Sequence, residues 1–366
     1  MAEAVFKRVN FIPKDDRDFG LTVRTRVNEY FKSNNISRSG DYRIWIKVAL
    51  LPLLLLVPFG LILTNWFSGN LLMFYGLWLL MGVGLAGCGT GIMHDACHGA
   101  LSKNKSVNKF IGDLIWFLAG GSALNWKIQH NVLHHLYTNI DGYDEDIDPQ
   151  GIMRFSPHQP VKPHHRFQAY YAWFFYGLMT FSWATFKGFK QLSRYNKRGL
   201  VKAQGAVYSK ELIKLIIQKI LYYSLFIVLP ILILDIAWWH VVIGWFSMHY
   251  IAGLFLGCIF QPAHVVPTSE FPLPDNENNL EGDWSKHQLL TTANFAPNNG
   301  LLSWYIGGLN FQIEHHLFLD MCHVHHKVVS KIVKKTALEF GLPYYSKPTY
   351  IGALVSHVKM LHKLRK

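Results

Sequence analysis

Two long stretches of this chain are almost free of charge, and they constrain the fold more than any other feature. No Lys, Arg, Asp or Glu occurs from Val48 through His94, and between Ile220 and His264 there is only Asp235. Yet the chain carries 36 Lys+Arg against 23 Asp+Glu, a net charge of +13. Half of its 366 residues are apolar and 16% are charged, against roughly 25% charged in an ordinary globular domain. A chain both apolar and basic has to keep the two properties apart in space. That excludes disorder, a coiled coil, a disulfide scaffold and a plain soluble enzyme, and leaves an integral membrane protein.

A spanning helix needs about 20 apolar residues, so each stretch holds a hairpin of two. The first occupies 48–93 and turns at 65–70, where Trp66 and Phe67 suit an interfacial belt. The second occupies 212–261 and turns at Asp235, beside Trp238 and Trp239; Lys214 and Lys219 near its start are expected to snorkel to the headgroups. The basic residues number ten in 1–47, seven in 94–186, nine in 187–219 and ten beyond His264, with none in either turn. Under the positive-inside rule every one of them is cytosolic and both hairpins point outward. The expected fold class is therefore all-α and integral to the membrane, with four transmembrane helices. A tail (1–47) precedes the first hairpin (48–93). A cytosolic region (94–211), the second hairpin (212–261) and a second cytosolic region (262–366) follow. The apolar stretches 110–126 and 168–186 read as interfacial or re-entrant helices, because a single crossing at the second would invert the hairpin after it. The first residues lack the apolar segment of a signal peptide, so the tail is expected to stay on the chain in the cytosol. Cys88, Cys97, Cys258 and Cys322 have no paired spacing and read as reduced, packed thiols.

The second anomaly is 19 histidines. Three clusters lie at the cytosolic ends of the apolar segments: His94-Asp-Ala-Cys-His98, His130-Asn-Val-Leu-His134-His135, and Gln312-Ile-Glu-His315-His316. On a helix, residues four apart share a face, so His94 and His98 point to one locus, as do His130 and His134. His135, rotated by about 100°, serves a neighbouring one. His264 lies just beyond the second hairpin and joins them. An isolated HxxxH pair is weak evidence, but these all share one side of the bilayer by an independent charge argument. Eight histidines and a glutamine exceed the ligand set of a single metal, so two ions are expected. Imidazole suits zinc, copper, iron and nickel; zinc has no redox chemistry. A histidine-rich pair of irons can reduce dioxygen (O2), and beside a bilayer its nearest substrate is a lipid tail.

The boxes and their flanks (GIMHDACHGALS, WKIQHNVLHHLYTN, TTANF, GGLNFQIEHHLF) resemble the membrane fatty-acid desaturase superfamily over residues 40–345. Glutamine opening the third box resembles the branch of front-end acyl desaturases and bacterial acyl-CoA or linoleoyl-CoA desaturases. The resemblance implies a four-helix mushroom under a cytosolic helical cap, a non-haem diiron centre of two iron ions, and O2 as oxidant. By motif position one iron takes His94, His135, Gln312 and His316; the other takes His98, His130, His134, His315 and His264. The middle box has three residues between its first histidine and the pair, where many relatives have two, and Gln312 is a weaker donor than the histidine it replaces. Fused members carry a His-Pro-Gly-Gly haem motif that is missing here. Electrons are therefore expected from an external donor, ferredoxin or cytochrome b5 with its reductase. The basic surface suits such an acidic partner, with Lys187, Lys190 and Arg194 as test positions, or else only enforces topology and contacts anionic lipid.

Other polar residues have two readings. Trp284, Gln288, Thr291, Thr292 and Asn294 either contact ligands or substrate, or are structural. Asp95 is expected to accept a hydrogen bond from a ligand histidine. The acidic run 141–148 lacks the glycine and glutamate of an EF-hand and reads as a solvated loop, with orientation of the second box as the alternative. His323, His325 and His326 open a basic terminal helix and read as surface residues; His249 reads as a satisfied interior residue, in the same hairpin as His240. The expected reaction is insertion of a cis double bond into a fatty acyl-CoA or acyl-lipid chain. The alternatives are a hydroxylase on the same scaffold and a histidine-rich metal carrier. The charge asymmetry is a topology label, with no nucleic acid implied.

Overall fold

The computed structural model describes residues 6–12 and 18–366; the portions of the tail at 1–5 and 13–17 lie outside the described residues. Four of the described helices are long and apolar enough to cross a membrane: Tyr42–Leu63, Leu71–His98, Tyr208–Ile233 and Trp238–His264. They fall where the uncharged stretches place them. Asp41 caps the first by accepting from the Arg43 N–H, and Asn70 caps the second by accepting from the Met73 N–H. The turns of the two hairpins meet. The Asn65 side-chain amide donates to Asp235 at 2.5 Å and the Asp235 N–H returns a bond to Asn65 at 3.1 Å.

Small residues set how closely the helices approach. A Cβ on Gly84 would stand 2.6 Å from the Leu54 backbone, so only glycine allows the first two spans to touch there. The stretch around 168–186 forms a helix, Gln168–Ser182, that runs antiparallel along the fourth span. A Cβ on Gly253 would lie 2.6 Å from the Gly177 carbonyl, and Thr180 Oγ1 donates to the His249 carbonyl. It continues through a π-helical turn, Trp183–Lys187, into a basic helix, Gly188–Lys197. Neither it nor Lys105–Leu118, which covers most of the 110–126 stretch, is among the four candidate spans.

Lys219 does not snorkel. It is buried, and its ammonium donates to the carbonyls of Gly120 and Trp183 at 2.6 and 2.7 Å and also to that of Ala184. A π-turn frees carbonyls from the regular ladder, and the lysine satisfies them where no water reaches. Lys214 is half-exposed beside Asp113. The thiols of Cys88, Cys97 and Cys322 are free and buried. His249 is held between Tyr222 and Thr180, an interior residue with its partners made, and His240 bonds Tyr75.

The remaining helices cover one end of the spans. The amino-terminal helix, Phe19–Ser33, packs Val23, Val27 and Phe31 against Val329, Val333 and Ala337 of the helix read above as terminal, His326–Glu339, which a further helix, Tyr350–Lys363, follows. Val328 and Leu338 of the same helix point outward. Two short parallel strand pairs, Asn10–Ile12 with Asn279–Glu281 and Asn294–Phe295 with Ser346–Lys347, are the only sheet among the described residues.

Candidate metal centre

The first two histidine boxes sit where a helix changes pitch. A π-helical turn, Gly89–Met93, delivers the helical turn His94–His98, and a second, Lys127–His134, carries the middle box. In a π-turn the bonded pair is i and i+5, and the His135 N–H bonds the His130 carbonyl at 3.0 Å. The i, i+4 face expected for His130 and His134 survives the turn: the two rings stack 5.1 Å apart and both Nδ1 atoms face Asp146, at 3.4 and 3.6 Å. His130 Nε2 lies 3.1 Å from Nε2 of both His135 and His94, while the His134 ring stands 4.7 Å from that of His264. The third box occupies a short helix, Gln312–Leu317, buried throughout.

The histidines converge as two groups of ligand atoms. His94, His98, His130 and His315 form one; His134, His264 and His316 form the other; within each, the ligand atoms lie within 4.8 Å of one another. His135 lies between, its ring 4.6 Å from that of His315 and 4.3 Å from that of His316. This differs from the split implied by motif position. His94 keeps company with His98, His130 and His315, and His316 with His134 and His264. Gln312 turns its amide N–H to the Leu309 carbonyl at 2.8 Å, so its amide nitrogen is engaged within the loop that precedes it.

The hydrogen bonds behind the rings show what the array suits. Nδ1 of His134 faces Asp144 at 3.0 Å, that of His316 faces Gln288 at 2.8 Å, and those of His130 and His264 face Asp146 and the Thr291 carbonyl at 3.4 Å. With Nδ1 donating outward, each Nε2 presents its lone pair inward. Nε2 of His98, His264, His315 and His316 is buried with no hydrogen-bond partner. An unpaired buried polar group costs about 1–3 kcal/mol, so an inward-facing set of bare imidazole nitrogens fits metal cations and fits little else. Burial holds the His130 pKa down to about 3. Burial opposes charge at His134 too, but Asp144 and Asp146 outweigh it and lift the pKa to about 9. The same negative potential favours any cation there.

The acidic run is therefore not a solvated loop. Asp144 is fully buried, accepts from His134 and the Asn139 N–H, and anchors the second box. Among the other expected residues, Gln288 bonds His316, Thr292 Oγ1 bonds the Gln288 carbonyl, and Trp284 Nε1 donates to the His135 carbonyl at 3.3 Å. Asn294 donates to Glu314 at 2.8 Å and accepts from the Ile313 N–H at 2.9 Å, fixing the third-box helix. Asp95 accepts from no ligand histidine. Its partners are Cys322 and His323, whose Nδ1 lies 2.7 Å away. His323, His325 and His326 are consequently buried. The short turn His323–His325 ahead of the basic helix is tucked against the first box and the amino-terminal segment, and the exposed charge begins at Lys327.

Sequence reasoning missed Glu314 and Tyr344. The Glu314 carboxylate accepts from Asn294 and from the Tyr344 hydroxyl at 3.0 Å, and burial pushes its pKa up to about 7. A lone carboxylate inside a buried histidine motif was the available signal; Tyr344, thirty residues on, offered none.

A model of the fatty acid desaturase family matches residues 68–348. The chain belongs to that family. It is 32% identical over 365 residues to an sn-1 linoleoyl-lipid 6-desaturase of Synechocystis, covering 98% of each chain. The protein of that name from Arthrospira platensis is 31% identical over 94% of this chain and 92% of its own. An acyl-lipid (8-3)-desaturase of Physcomitrium patens is 32% identical over 97% of this chain and 73% of its own. The protein is a membrane fatty acyl desaturase, as the boxes implied.

Proposed function

We propose that this desaturase acts on acyl lipids near the carboxyl end of the chain, with linoleoyl lipid desaturated at carbon six, at a centre of two irons. The names of the two cyanobacterial relatives support the substrate. One observation supports the site: a single cavity of about 390 Å³ joins the histidines to both an apolar channel and a charged rim. His130, His134 and His264 stand at its wall. Phe175, Tyr176 and Met179 on one helix and Phe186 in the turn after it give it an apolar stripe, and its rim is mixed in charge, with Lys187 and Lys190 near Glu145, Asp146 and Asp148 and with Arg194 paired to Glu145 at 2.6 Å. A lipid tail fits the apolar part, and its polar or anionic end fits the rim. That use of Lys187 and Lys190 replaces the donor contact expected of them.

His94, His98, His130, His134, His135, His264, His315 and His316 are the proposed ligands, with Gln312 behind them. Iron in such a set supplies the redox chemistry toward dioxygen. The chain itself holds the ligand rings through Asp144, Asp146, Gln288 and Thr291, keeps water out, and fixes the methylene to be oxidised beside the histidines. Both termini and the site are proposed to face the cytosol, with electrons from ferredoxin or cytochrome b5. In a desaturase-deficient host fed linoleate, gas chromatography should show a new double bond at carbon six, lost in His315→Ala. A hydroxylated product instead would overturn the reading.

A further inference from the structure

The reaction needs electrons from outside, and the rim at Lys187 and Lys190 belongs to the substrate cavity. Another basic surface has no such use. The amino-terminal helix and the terminal helix lie side by side through the Val23–Val27–Phe31 and Val329–Val333 seam. Together they carry seven basic residues (Arg24, Arg26, Lys32, Lys327, Lys331, Lys334, Lys335) and two acidic ones (Glu29, Glu339), a net +5. Arg26 pairs with Glu339, but Lys32, Lys327 and Lys331 form no ion pair among the described residues. Lys327 and Lys331 sit one turn apart with Val328 exposed between them. An exposed apolar side chain flanked by unpaired lysines has the make-up of a protein-docking surface.

Two structural routes lead from this face to the histidines. Arg24 lies over the Trp284 ring at 5.8 Å, and the Trp284 indole donates to the His135 carbonyl at 3.3 Å. Next to Lys327, the buried His326 ring stands 6.1 Å from that of His315. The paired helices thus approach His135 near the Arg24 end of their seam and His315 near the Lys327 end.

We propose that this face docks an acidic one-electron carrier protein, and that Trp284 bridges the docked carrier to the histidine cluster as a positioning residue. The inference rests on the oxidative reading above. Per double bond, two reduced carriers each give one electron, the acyl chain loses two hydrogens with their two electrons, and two protons come from solvent. One dioxygen takes up all four electrons and four hydrogens and leaves as two waters. The occupant is acidic because the face is basic, and a protein because its charge is arranged around an apolar contact.

The test uses the full chain in phosphatidylcholine nanodiscs with ferredoxin, and cytochrome b5 in parallel, as titrated carriers. Lys327→Glu with Lys331→Glu should raise the carrier Kd and KM on the order of tenfold at low salt, with kcat at saturating carrier kept. Trp284→Leu should lower kcat with carrier KM unchanged, and Trp284→Phe should recover most of it. Carrier binding is read separately from turnover. A preparation that binds carrier normally but makes no double bond counts against the proposed function. A carrier affinity unmoved by the lysine reversals overturns the docking site. So does a response of those variants only to anionic lipid in the disc, or a carrier KM that moves instead on Lys187→Gln with Lys190→Gln.

Discussion

At the scale of the residue, the site is decided by what stands behind the ligands. Asp144 and Gln288 each fix one ring so that its lone pair points inward. Asp144→Asn keeps the shape but weakens the hold on His134, and losses of about 10- to 100-fold are typical for such partners. Iron content and turnover should fall together by that order, which elemental analysis and a lipid assay would check. Glu314 gives a pH signature. Its carboxyl titrates near 4.5 when exposed and near 7 when folded, so between those values the folded state binds more protons than the unfolded. Stability in metal-stripped protein should be full below about pH 4.5 and fall as pH rises through 7, by an order of 1–3 kcal/mol. Thermal melts of Glu314→Gln should lack that slope. Equal slopes in both proteins would remove Glu314 from the account.

At the scale of the element, the π-turns are what pattern reading could not see. The boxes were legible as helical clusters, because apolar runs end at His94 and His264 and the spacings are short. The shared face of His130 and His134 was legible too, but the place of His135 was not, because the π-turn adds an i, i+5 bond and brings His135 beside His130. The same blindness produced the snorkelling reading of Lys219, whose carbonyl partners lie 35, 36 and 99 positions away. Lys219→Met should leave the Gly120 and Trp183 carbonyls without it, Tyr223 still donating to Ala184, and cost about 2–3 kcal/mol. The melt in detergent should drop by several degrees, with iron retained and lipid KM raised through the neighbouring cavity. Gly307 is a second lever, with φ +62° and a would-be Cβ 2.2 Å from the Thr90 carbonyl in the first π-turn. Gly307→Ala should destabilise the fold and loosen the first box, seen as iron loss on purification.

At the scale of the whole molecule, charge segregation gave the architecture directly: four candidate spans appear where the uncharged runs lie. The buried histidines at 323–326 were misjudged because a basic helix was read as uniformly solvated, and only tertiary packing closes its first turn over Asp95. The joined hairpin turns at Asn65 and Asp235 agree with a topology in which both point the same way. Single cysteines at 65 and 235 should label from one side of sealed membranes, and one at 196 from the other.

The central claim is that the convergent histidines form one centre of two irons. The most direct test is the iron-to-protein ratio of a preparation shown to desaturate lipid, measured by mass spectrometry of the metal. About two irons per chain, lost in parallel with activity in His315→Ala and His316→Ala, is the predicted result. A desaturating preparation with one iron, none, or zinc in their place would contradict it.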